Sequence, residues 1–423
     1  VSALDISLLP TSARVSADGV LSVGGVQVPE LAAQFGTPLY VYDENHIRQQ
    51  CRMAVEEFGA NKVIYATKAF LCTAMAKLAH EEGLLLDVAT GGEFFVALNA
   101  GVPANRCVMH GNNKSTSELA LAMQKGVHHI VVDSFDELDR IKQLHHEGLP
   151  APRVQLRITP GVHAHTHEFV STGQDDSKFG FNLANGSAAR AIALASDSSA
   201  MELVGLHCHI GSNVTAVDNF AHASAVMVDL FATTNLPELT LGGGLGVAYV
   251  GGESAPTMQE WARVVRDATA SLPADRTIYV EPGRSIVARA GMTVYSVGTV
   301  KPIDGIRTYI SVDGGMSDNL RPMLYGSEYE IFDPMRTNDA RGEVARIAGK
   351  HCESGDVVIN NAAVPHDVKV GDLLVTPVTG AYGYSMANNY NKVPRPAVVF
   401  VADGNARVVV RRETYEDLVN LDL

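Results

Sequence analysis

Short apolar or β-branched runs alternate with longer Ala-rich segments through the first two thirds of the chain. The runs cover residues 63–66, 84–89, 107–111, 129–133, 154–159, 203–210, 239–243 and 278–281. Between them, 117–125 places Leu119, Ala122 and Met123 on one helical face, with Ser117 as a candidate N-cap. Segments 135–144 and 188–195 read the same way. Strands that are apolar throughout, alternating with helices, predict a parallel sheet covered by helices. Eight such units in about 220 residues match a (β/α)8 TIM barrel, with a doubly wound open sheet as the alternative.

From about residue 288 the rhythm changes. Strand-like runs at 293–301, 307–312, 344–349, 356–359, 373–377, 397–402 and 405–411 are separated by Gly, Pro, Asp and Asn, with little room for helices. This predicts a β-sandwich or Greek-key barrel. Near the N-terminus, 21–23 and 26–28 flank Gly24-Gly25, a hairpin signal. The expected organisation is therefore an N-terminal segment, 1–40, that packs with the β-domain, a barrel over 41–287, and a C-terminal β-domain over 288–423.

Composition narrows the class. Of 423 residues, 46% are hydrophobic and 19% charged, enough apolar material for a sizeable core. The net charge of −14, with no Lys/Arg run, argues against nucleic acid or an anionic membrane as partner. Five cysteines at scattered positions, without a CxxC pair, indicate neither a disulfide framework nor a zinc ribbon. No apolar run reaches the ~18–20 residues of a membrane span. Residues 1–10 lack the basic segment of a secretory signal. A cytoplasmic location is expected.

In a (β/α)8 barrel the chemistry sits at the C-terminal ends of the strands. Here those ends carry Lys68, Asp87, His110, His207-Cys-His209, Gly242–Gly246 and Glu281-Pro-Gly-Arg284. A desolvated Lys68 would be nucleophilic toward a carbonyl, although a surface lysine is the simpler reading of that residue alone. The glycine run offers bare backbone N–H groups for an anion such as phosphate, or else forms a tight turn. It matches neither a dinucleotide fingerprint nor a Walker loop. Glu281 could face a protonated ring nitrogen and Arg284 a carboxylate or phosphate, or the two could pair with each other. Phosphate nest, lysine, flat histidine and carboxylate together suggest pyridoxal phosphate.

Tyr65-Ala-Thr-Lys68-Ala, His207-Cys-His-Ile-Gly-Ser212, Gly242-Gly-Gly-Leu-Gly246 and Glu281-Pro-Gly-Arg284 resemble the alanine-racemase-fold decarboxylases that use pyridoxal phosphate. His165-Thr-His-Glu168, Ser177-Lys-Phe-Gly180, Asp318-Asn-Leu-Arg-Pro-Met-Leu-Tyr325, Cys352-Glu-Ser-Gly-Asp356 and Gly380-Ala-Tyr-Gly383 are similar to the diaminopimelate decarboxylase family within that group. The resemblance spans nearly the whole chain. It implies decarboxylation of meso-2,6-diaminopimelate to L-lysine and CO2, the last step of lysine biosynthesis, by a homodimer with shared sites. It further implies that Lys68 forms the Schiff base with the cofactor and that His209 stacks on its ring. Ser212, Gly243, Gly244, Gly283 and Arg284 would hold the phosphate, and Glu281 would meet the ring nitrogen. Asp87 and Tyr382 complete the expected cofactor site. Arg284, Arg321, Tyr325, Glu353 and Tyr382 are the expected substrate contacts, with Cys352 as the acid that protonates the α-carbon. Cys352 and Glu353 would come from the partner subunit. Glu353 is the discriminating residue, because relatives acting on ornithine or arginine typically place Asp after this Cys.

Two rivals stand beside this reading. The alternating histidines His163-Ala-His165-Thr-His167 look like metal ligands, but the sequence places no further ligand to complete the set, so no metal is expected. A non-catalytic binding protein on the same fold would be expected to lose the lysine, the cysteine or the glycine run, and all three are present.

Overall fold

The computed structural model describes residues 4–161 and 176–423. The histidine stretch 163–167 and the motif His165-Thr-His-Glu168 lie outside them. The chain forms two compact units. One comprises Cys51–Val247 and Ala255–Ser285, the other Val1–Gln50, Ala248–Ser254 and Ile286–Leu423.

The first unit is the expected barrel. Its strands are β1 (Ile64–Ala66), β2 (Leu85–Val88), β3 (Cys107–Met109), β4 (His129–Val132), β5 (Arg153–Thr159), β6 (Glu202–His207), β7 (Glu238–Thr240) and β8 (Thr277–Tyr279). Each pairs in parallel with the next. The ring closes between β8 and β1. Ile64 N–H donates to the Val280 carbonyl at 2.9 Å and Ala66 N–H to that of Pro282 at 3.0 Å. Ile64, Leu85, Val108, Val131 and Tyr279, one from each of five strands, pack together in its core. All eight predicted runs are strands, because a strand covered on both faces must be apolar throughout.

The helices hold one correction. The helix Thr116–Lys125 is capped by Ser115, not Ser117. Ser115 accepts from Glu118 N–H while the Glu118 carboxylate accepts from Ser115 N–H. That reciprocal pair needs the Ser-x-x-Glu spacing, which Ser117 lacks. Gly126 ends the helix in the left-handed region. Nearby, Lys114 is buried in the barrel wall, 2.7 Å from Glu137 and bonded to the carbonyls of Gly111 and Val131.

The second unit is built on the 13-residue strand Gly291–Ile303. Its first half pairs antiparallel with both Leu39–Asp43 and Leu373–Pro377, and its second half with Arg307–Val312. Leu39–Asp43 also pairs, in parallel, with Ala397–Ala402. The N-terminal hairpin forms as predicted, with Gly24 and Gly25 at φ 59° and 81°. A Cβ on Gly24 would lie 2.8 Å from Val401 backbone, so glycine allows the hairpin to dock there. Val28 departs from the expected strand and starts the helix Val28–Phe35, where Pro29 is suited to the first turn. Leu21, Val23, Leu39, Val41, Met292, Val294, Val399 and Val401 share one apolar core. The N-terminal segment is thus part of the β-unit. Among the described residues no helix is long and apolar enough to cross a membrane.

The single tryptophan, Trp261, is fully buried in the barrel unit, with ring centroids 4.9 Å from Phe58 and 5.6 Å from Phe220. Phe220→Ala should destabilise the barrel by about 3–5 kcal/mol. Unfolding in urea followed by Trp261 fluorescence should show a lower midpoint, and an unchanged midpoint would contradict this packing.

Candidate active site

The groups at the strand ends of the barrel converge as the fold requires. Lys68 sits on the 3-10 turn Thr67–Ala69 directly after β1. Thr67 hydroxyl donates to the Asp87 carbonyl at 2.6 Å, tying this turn to β2. The loop after β8 approaches from the other side, and a Cβ on Gly283 would lie 2.9 Å from the Ala66 Cβ. Only glycine lets Arg284 follow so close to the lysine turn. Lys68 itself is exposed, as the simpler reading of that residue has it. Its charge acts on Asp87, Glu93 and His209.

The glycine run after β7 forms a nest. Gly242 and Gly244 have φ 63° and 102°, where a side chain is strained. A Cβ on Gly243 would overlap the Glu281 carbonyl oxygen, and one on Gly244 that of Gly211. The nest is tied to neighbouring loops. Val214 N–H donates to the Gly244 carbonyl at 2.8 Å, and Gly243 N–H to His209 Nδ1 at 3.4 Å. That contact aligns the His209 ring with the nest. Burial, then Lys68, pushes the His209 pKa well below its ordinary value, so the ring is neutral. Arg284 is buried and donates to Ser212 Oγ at 2.8 Å.

Glu281 is buried and turned to two histidines. His207 Nε2 is 2.8 Å from Oε2, and His110 Nε2 is 2.8 Å from Oε1. Burial disfavours its charge, but His207 and His110 outweigh burial and hold its pKa well below the carboxylate range. The three donor atoms lie within 4.8 Å of one another, as in a metal trio. Direct contacts at 2.8 Å make them a carboxylate–imidazole cluster instead. Neither histidine carried an expected role. Their place at the ends of β3 and β6 was the available signal.

The β-unit holds the remaining residues. Arg321 opens the short helix Arg321–Tyr325, lies 4.5 Å over the Tyr249 ring and donates to the Tyr329 hydroxyl. Tyr325 ends that helix, half-buried. Cys352 and Glu353 are exposed on a turn organised by Asp356. The Asp356 carboxylate accepts from Met316 N–H at 2.7 Å and His351 N–H at 2.8 Å. Cys352 N–H donates to Asn391 Oδ1 at 3.0 Å. Tyr382 has φ 59°, a left-handed conformation that costs a residue with a side chain about 1–2 kcal/mol. Such strain is retained where a side chain must be aimed.

Comparison with known proteins decides the family. Residues 44–288 match the model of the pyridoxal-dependent decarboxylase, pyridoxal binding domain. A diaminopimelate decarboxylase of Bacillus subtilis (strain 168) is 46% identical over 429 residues, covering 97% of each chain. One from Mycobacterium tuberculosis (strain H37Rv) is 45% identical over 426 residues, covering 96% of this chain and 95% of the other. The chain belongs to the diaminopimelate decarboxylase family. Among solved structures, diaminopimelate decarboxylase from M. jannaschii in co-complex with L-lysine superposes with a TM-score of 0.90 at 32% identity, covering 98% of both chains.

The cofactor of this family, pyridoxal phosphate, fits the residues present. The nest after β7 has no room for side chains on its backbone, Glu281 is anionic, and His209 is a neutral flat ring. If the nest takes the phosphate, Gly244→Ala should weaken cofactor binding at least about tenfold, or ~1.4 kcal/mol. Titration of the cofactor-free protein, followed by cofactor absorbance, would show it. An unchanged Kd would place the phosphate elsewhere.

Proposed function

We propose that this chain decarboxylates meso-2,6-diaminopimelate to L-lysine and CO2, the closing step of lysine biosynthesis, as a cytoplasmic homodimer. The observation that carries the reading is full-length similarity to diaminopimelate decarboxylases, together with an intact set of strand-end residues. All five cysteines are free, in keeping with a reducing compartment. The exposure of Cys352 and Glu353, with Met323 and Leu324 also exposed, supports a second copy covering this face.

Pyridoxal phosphate, when bound, supplies an aldehyde for the substrate amine and a ring that accepts the electron pair left when CO2 departs. The chain does the rest. Lys68 provides the amine for that aldehyde, with Asp87 beside it. Gly243, Gly244, Ser212, Gly283 and Arg284 would hold the phosphate. His209 would lie against the ring, and Glu281 would present its anion to the ring nitrogen. Diaminopimelate ends in an amino acid at both ends. Its distal end therefore needs a cation for the carboxylate and an anion for the amine, which Arg321 and Glu353 of the two subunits provide. Tyr325, Tyr382 and Arg284 line the substrate. Cys352 hands a proton to the α-carbon once CO2 has gone.

Release of CO2 should be fast with diaminopimelate and slower by orders of magnitude with ornithine, arginine or lysine. A preference for ornithine or arginine would overturn the substrate assignment. Arg321→Met should lower kcat/KM for diaminopimelate about 100-fold, the loss expected for a charge-assisted contact. Cys352→Ser should cut kcat sharply while the absorbance of the bound cofactor stays intact. Lys68→Ala should remove the long-wavelength cofactor band, and a surviving band would refute its role.

A further inference from the structure

Each oxygen of Glu281 faces a different imidazole, His110 at Oε1 and His207 at Oε2, both at 2.8 Å. The same Nε2 of His110 lies 3.9 Å from Asp87 Oδ1. The two rings meet edge to face, 5.0 Å between centroids. All four residues are buried. An ionised carboxylate only accepts hydrogen bonds, so His207 Nε2, bonded to Oε2, carries hydrogen. His110 Nε2 faces Oε1 at ion-pair distance without hydrogen-bond alignment, so that contact is one of charge.

The second nitrogen separates the two histidines. His207 Nδ1 is buried with no hydrogen-bond partner. A proton there would leave a buried donor unsatisfied, at a cost of about 1–3 kcal/mol, whereas a bare lone pair is tolerated more easily. His207 is therefore neutral, and burial lowers its pKa to about 4 despite Glu281. His110 instead stands between two carboxylates. Burial opposes its charge, but Asp87 and Glu281 together raise its pKa. Arg157, at the end of β5, opposes the charge from a third side. His129 on β4 is itself held neutral by burial. Without a cation at His110, Asp87 and Glu281 would be two carboxylates sharing one buried site, and one would take up a proton.

We propose that His110 and His207 are positioning residues for the cofactor-facing carboxylate. His110 supplies the positive charge that keeps Glu281 ionised, and His207 fixes the second oxygen as a neutral donor. The inference rests on Glu281 being the partner of the ring nitrogen.

His110→Gln keeps a polar side chain but removes the charge, whereas His207→Gln keeps a donor and changes no charge. Losing the charge raises the Glu281 pKa, so Glu281 protonates at higher pH. In the cofactor-loaded enzyme the acid limb of the kcat profile should therefore move up by about one pH unit or more in H110Q, and far less in H207Q. The pH titration of cofactor absorbance, without substrate, should move in parallel. Nitrogen-15 NMR of the histidine rings in the full wild-type chain does not depend on any variant folding. At neutral pH it should show His110 charged and His207 neutral. Two neutral rings, the reverse assignment, or equal shifts in the two variants would overturn the proposal. The expected NMR pattern without decarboxylation of diaminopimelate would sink the functional reading instead.

Discussion

A carboxylate taken out of water must be paired, or it takes up a proton. Glu281 is buried, and much of the barrel end is arranged around that requirement. Its partners come from the ends of β3 and β6, while it follows β8 itself. The three meet only because the sheet closes on itself through the β8–β1 hydrogen bonds. Closure also crowds the backbone. Gly243 runs against the Glu281 carbonyl and Gly283 against Ala66, so only residues without a side chain allow the approach. The close glycine packing and the paired carboxylate are thus two results of one constraint, the closure of the barrel.

The β-unit meets a different demand. Its candidate residues must be held at set angles on loops rather than strands. Asp356 does this for the Cys352–Glu353 turn, accepting backbone hydrogen bonds from both 316 and 351. A Cβ on Gly315 would lie 2.5 Å from that carboxylate, so glycine there is required by the same contact. Arg321 is kept in place by stacking over Tyr249 and by its bond to Tyr329. Tyr382 is held in a strained backbone conformation. Free energy given up in such loops fits residues that bind rather than residues that merely fill space.

The architecture was legible because its signal is local. Each barrel strand is a short apolar run, and seven β-unit strands lie between turn residues. The chemistry at the strand ends could be read for the same reason: position after a run is visible in one dimension. What stayed hidden depends on contacts distant in sequence. His207 and Glu281 are 74 residues apart, and nothing nearby marks their pairing. The place of Leu39–Asp43 in the β-unit rests on pairing with strands some 250 and 360 residues later, an arrangement local pattern cannot specify. The helix cap moved from Ser117 to Ser115 because the side chain of Glu118 selected it.

The central claim is that Glu281 stays ionised and thereby keeps the cofactor ring nitrogen protonated. Nitrogen-15 NMR of the enzyme loaded with ring-labelled pyridoxal phosphate reports that nitrogen directly. The account predicts a pyridinium signal in the wild type at neutral pH and its loss in Glu281→Gln. An unprotonated ring nitrogen in the wild type, or a pyridinium that persists in Glu281→Gln, would contradict it.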